Sequence, residues 1–126
     1  MLEAVPDPGL RVYVVWLGVL SRLSPEALAG AARAASRRMN DPRVSHYLDP
    51  NYAVATPYRT ILGLDHAGDE PAWDAFLLFD RAARWEEQPP PPADWMHQLG
   101  AGPPARRLNA AKLAESVGAA LAASTP

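Results

Sequence analysis

The side chains able to do chemistry in this sequence are few and scattered. Asp74 stands out because it interrupts the apolar run from Trp73 to Phe79. A carboxylate facing inward from a strand must be hydrogen-bonded or carry a raised pKa, since burial penalises the charged form. The plainer reading is a strand-end aspartate that accepts backbone or tryptophan N–H bonds. His46, His66 and His97 could supply imidazoles, but they are far apart and lack the short spacing of a zinc site. Met96 and His97 join a thioether to an imidazole, donors that suit copper, yet residues adjacent in sequence chelate one ion poorly. No metal or other cofactor is therefore expected. Ser21, Ser24, Ser36, Ser45, Ser116 and Ser124 lack a Gly-x-Ser-x-Gly elbow. Leu17-Gly18-Val19 has one glycine where a nucleotide fingerprint needs three. With no cysteine, disulfides, thiolate metal sites and thiol nucleophiles are excluded from this chain. No catalytic residue emerges.

Binding is a different matter. Trp16, Trp73 and Trp95, with Asp74 and His97, are the candidate ligand-binding residues, an aromatic groove for a peptide or small ligand. The same tryptophans also give an alanine-rich core the buried area it otherwise lacks. The four prolines Pro89 to Pro92 lock into an extended stretch, either a ligand for an aromatic-lined domain or a stiff spacer that fixes Trp95. Arg33, Arg37 and Arg38 form a small basic patch that reads as a solvated helix face.

Composition bounds the class. The 126 residues suit one small domain. Fourteen acids against twelve bases, a net charge of −2, argue against nucleic acid as a partner. No apolar run reaches the roughly 20 residues that span a bilayer. Met1 to Asp7 has neither the basic nor the apolar region of a signal peptide.

The elements that must position these side chains can be read from local signals. Leu10 to Leu20 is a strand, apolar on both faces as expected in a parallel sheet. Ser24-Pro25-Glu26 starts a helix that runs to about residue 39 and is stopped at Asn40-Asp41-Pro42. Val44 to Leu48 is a short strand. A short helix follows to Ile61 and Leu62, with Gly63 as a left-handed cap. Asp65 to Pro71 is a loop. Trp73 to Phe79 is the second buried strand, and Arg84 to Glu86 pairs back across a short turn as an edge strand. After the proline tether, Asn109 caps a final helix to about Ala123, with Leu113, Val117 and Leu121 along one face.

Several blocks in this order resemble bacterial extracytoplasmic thioredoxin-like proteins. They are the strand Arg11 to Leu17 and its helix, Asp-Pro-Arg-Val-x-His-Tyr-x-Asp at 41–49, Trp-Asp-x-x-Leu-Leu at 73–78, Arg84-Trp85, and Trp95 to Leu99 after the prolines. The resemblance implies an α/β, thioredoxin-like fold over residues 1–126. It assigns 10–87 as β-α-β-α-β-β, 88–107 as the proline-rich tether and 108–124 as the C-terminal helix. Members carry a Cys-x-x-Cys pair at the start of a helix directly after a central strand. That strand and helix are expected to precede Leu10, so the three-layer sandwich is incomplete and lacks its central active-site strand. A cis-proline normally precedes the strand that corresponds to Ala75–Phe79, and Asp74 stands there instead.

The implied protein is thus akin to thiol-disulfide oxidoreductases but redox-inactive as it stands. Met1 is then expected to be an internal start, with a signal peptide and the cysteine pair upstream. The resemblance implies an extracytoplasmic location, and a true start at Met1 a cytoplasmic one. A missing strand leaves the two apolar strands either pairing directly or separated by an open seam. The alternative function is a non-catalytic peptide- or protein-binding module, and a second copy of the chain is the other expected partner.

Overall fold

The structure is a computed structural model that describes residues 2–19, 23–64 and 70–123. Its elements in chain order are β1 (Val12–Trp16), α1 (Pro25–Ser36) with a 3-10 turn at Arg37–Met39, β2 (Val44–Leu48), α2 (Ala55–Ile61), β3 (Ala75–Leu78), β4 (Asp94–His97), a 3-10 turn at Pro104–Arg106, and α3 (Ala110–Ala123). The chain is α/β, but its strands form two two-stranded sheets. In one, β1 and β2 run parallel with Val12 opposite Val44; in the other, β3 and β4 run antiparallel with Ala75 opposite His97.

Local chemistry sets the helices. Ser24 caps α1 by accepting the Ala27 N–H at 3.3 Å, Pro25 occupies the first turn, and Leu28 and Ala32 are the buried residues. Gly63 ends the α2 segment at φ +67°, the left-handed geometry a Cβ would oppose. Asn109 caps α3, its side chain accepting the Lys112 N–H at 3.0 Å. Leu113 and Val117 are buried on one stripe, as their spacing predicts.

Two apolar clusters hold the elements together. Val5, Leu10, Met96, Leu113 and Val117 form the first, with Val12, Phe76, Leu78 and Leu121 packed against it. Tyr58, Leu62, Leu64 and Ala72 form the second, with Ala75, Leu77, Phe79, Trp95 and Leu99 around them. Because side chains alternate along a strand, the β3–β4 hairpin sends Phe76, Leu78 and Met96 to α3, and Leu77 and Trp95 to α2. Three layers result there. β1 and its lead-in join the α3 cluster through Val12 and Leu10, yet no ladder links β1 to β3 among the described residues.

Three sequence expectations are corrected. The partner of β3 is Asp94–His97, not Arg84–Glu86, so the proline run is the hairpin's connection and not a tether beyond it. Prolines serve there because a connection needs no ladder donors: Pro89 is buried, and the Tyr58 hydroxyl donates to the Pro90 carbonyl at 3.0 Å. β1 is not covered on both faces, for Tyr13 is 64% exposed and its neighbour Tyr47 on β2 54%. Asp74 does not interrupt a strand. It precedes β3, exposed, at φ +49°, a region aspartate tolerates better than most residues.

Candidate functional site

The residues singled out from sequence fall into three separate places. Trp16 lies at the end of β1 against His46 of β2. The rings stack at 5.9 Å with an 18° interplanar angle, and the indole N–H donates to His46 Nδ1 at 3.2 Å. Trp73 lies before β3, and its indole N–H donates to Glu70 at 3.2 Å. Asp74 exposes its side chain while its carbonyl accepts the Gln98 N–H at 3.0 Å. Trp95 and His97 share one face of β4, with ring centroids 5.8 Å apart. Among the described residues no ring contact or hydrogen bond joins Trp16 to Trp73 or Trp95. His66 and Ser21 lie outside the described residues.

The Trp95–His97 pair is an enclosed structural unit. His97 is fully buried. Its Nδ1 accepts the Leu99 N–H at 3.0 Å, so the proton sits on Nε2, which donates to the Pro103 carbonyl at 2.8 Å. Both nitrogens are satisfied, and the ring offers nothing to a ligand. Arg106 lies over Trp95 at 4.9 Å from its ring centroid and also donates to the Trp95 carbonyl and to Asp94, each at 3.0 Å.

Open depressions lie elsewhere on the molecule. One of about 320 Å³ is bounded by Val44 and His46 of β2, by Ser36 at the end of α1, and by Arg37, Met39, Asn40 and Asp41 beyond it. Both oxygens of Asp41 are occupied: Arg43 donates Nε to one at 3.0 Å and a terminal nitrogen to the other at 2.7 Å. These bonds hold the Asp41 carboxyl down from its ordinary 3.8 to about 2, with the Arg43 side-chain bonds the largest cause. Arg43 reaches on to the carbonyls of Val5 and Leu2, which ties the lead-in segment to the start of β2. Sequence reasoning missed this cavity. Its only sequence sign was that Arg37 and His46 bracket the Asp41–Arg43 turn.

No group of three or more histidines and acids is placed to hold a metal among the described residues. No described helix is long and apolar enough to cross a membrane. Comparison with family models, with curated proteins and with solved structures gave no match.

Proposed function

We propose that this chain is a redox-silent domain of thioredoxin-like architecture that acts by binding another protein. A parallel β1–α1–β2 unit followed by α2, an antiparallel β3–β4 hairpin and α3 supports this reading, as does the hairpin between α2 and α3. The order also favours a different position for the missing chemistry. Sequence order alone puts the cysteine pair upstream of Leu10. Yet β1 is itself a strand between β2 and the shared α3 core, and α1 is the helix that follows it. The pair's counterparts are then Ser24 and Ala27.

One observation carries the reading. Ser24 Oγ, at the cap of α1, accepts the Ala27 N–H at 3.3 Å. A sulfur in that position would have its thiolate stabilised by the same N–H and by the helix dipole. A hydroxyl there neither ionises near neutral pH nor bridges to a second residue, so no thiol exchange follows and binding remains.

The double variant Ser24→Cys, Ala27→Cys tests this. Treated with oxidised glutathione, it should form one internal disulfide and release two equivalents of reduced glutathione. The thiol introduced at position 24 should ionise below the ordinary value of about 8.5, and the variant should gain insulin reduction that the parent lacks. Two free thiols of ordinary reactivity after that treatment would overturn the architectural reading.

A further inference from the structure

This inference deepens the binding half of the preceding proposal. β2 pairs with β1 on one side, and no described strand pairs with it on the other. Its five residues, Val44 to Leu48, include no lysine, proline or acid, the usual guards of a strand edge. The cavity described above adjoins this strand. Val44 and His46 line it from one face of β2, and no β1 residue is among its lining residues.

The walls of the cavity offer donors. Asp41 is its one acid, and Arg43 already neutralises it. The side chains of Arg37 and Asn40 have no hydrogen-bond or ionic partner among the described residues. His46 accepts the Trp16 indole N–H at Nδ1, so its neutral ring carries the proton on Nε2 as a further donor. Met39 and Val44 supply the apolar surface beside them. On the opposite face of the sheet, Tyr13 and Tyr47 stand exposed with their rings 6.1 Å apart.

We propose that the free edge of β2 and this cavity form one docking surface for an extended acidic peptide. The peptide adds as a strand beside Val44–Leu48 by main-chain hydrogen bonds. One glutamate or aspartate seats its carboxylate among Arg37, Asn40 and His46. Alternate side chains, being apolar, fall on the Tyr13–Tyr47 face. Charge complementarity selects this occupant: an uncharged edge beside an unneutralised guanidinium fits an acid better than a second copy of the edge, which carries no acid.

The test is a titration of the isotope-labelled protein, followed by amide and indole resonances. The probes are a blocked Thr-Val-Glu-Val-Thr peptide and its glutamine counterpart. The glutamate probe should shift the amides of Val44–Leu48 and the Trp16 indole N–H, and bind about tenfold tighter than the glutamine probe at low salt. Arg37→Gln should bring the two probes level while the thermal midpoint stays unchanged. Equal affinity for both probes in the parent, shifts confined to other elements, or no binding at millimolar probe would overturn the proposal. So would dimerisation without probe that shifts the same β2 amides, since a second copy would then be the occupant. The cysteine variants read the N-terminus of α1, so either proposal can fail without the other.

Discussion

Gly102 lies against the ring of His97, and a Cβ built at position 102 would come within 2.6 Å of both ring nitrogens. His97 cannot yield, because it is fully buried and bonded at both nitrogens. Gly102→Ala should therefore cost about 1–3 kcal/mol, the range for overpacking a filled site. The check is a denaturant midpoint, read beside the near-ultraviolet circular dichroism of Trp95. A variant with an unchanged midpoint and spectrum would show that the 99–103 loop has room to move.

The acid limb of stability should depend on the Asp41–Arg43 pair. A carboxyl whose folded pKa is depressed contributes stability that is present above its unfolded value and lost as pH falls through its folded one. For Asp41 that window runs from 3.8 down to about 2. Asp41→Asn should flatten this part of the pH–stability curve. It should also speed hydrogen exchange at the Leu10 amide, because Arg43 would lose the acid that aims it at the Leu2 and Val5 carbonyls. Identical acid limbs in parent and variant would contradict the assignment.

Asp49 does for α2 what no nearby cap does. It is buried, and its carboxylate accepts the N–H groups of Ala53, Val54 and Ala55 at 2.7, 2.8 and 3.2 Å. These are among the donors a helix start leaves without partners. Asp49→Ala should cost about 1–3 kcal/mol and expose those three amides to exchange first. Asp49→Asn, which keeps one acceptor oxygen, should fall between the two.

The elements legible in the sequence are those fixed by neighbours. Ser24, Gly63 and Asn109 each act within a few residues, and each bounds a helix as expected, the first and last at its start and Gly63 at its end. What was not legible depended on distance. Arg84–Glu86 looked like the partner of β3 because short turns commonly join antiparallel strands. The true partner lies beyond four prolines, held by contacts from elsewhere: the Tyr58 hydroxyl on Pro90 and the Arg106 side chain on Asp94 and Trp95. Nothing in the spacing of Pro89–Pro92 encodes those contacts.

The candidate site divides the same way. Trp95 and His97 were legible as near neighbours from their two-residue spacing, though the strand that puts both on one face was not. Trp16 and His46 were not, because thirty positions separate them and only the parallel pairing of β1 with β2 brings them together. Asp74 misled because an acid within an apolar run resembles a buried strand residue, and a backbone at φ +49° leaves no mark in composition.

Tyr58 sets the alkaline limb. It is buried at the centre of the second cluster, edge-on to Phe79 and Trp85 at 6.2 and 5.9 Å, with its hydroxyl on the Pro90 carbonyl. Burial raises its pKa above the ordinary 10.0, because the phenolate would lose its hydration. A group with a raised folded pKa contributes stability that is full below the unfolded value and is lost as pH rises through the folded one. The loss should begin above pH 10, and ultraviolet titration should show one tyrosine ionising above that ordinary value. Tyr58→Phe keeps the ring contacts and removes both the ionisation and the bond to the proline run. It should flatten the alkaline limb and lower the neutral-pH stability by about 0.5–1.5 kcal/mol. If no tyrosine ionises above 10.0 in the folded parent, the hydroxyl is not shielded from water as the structure places it.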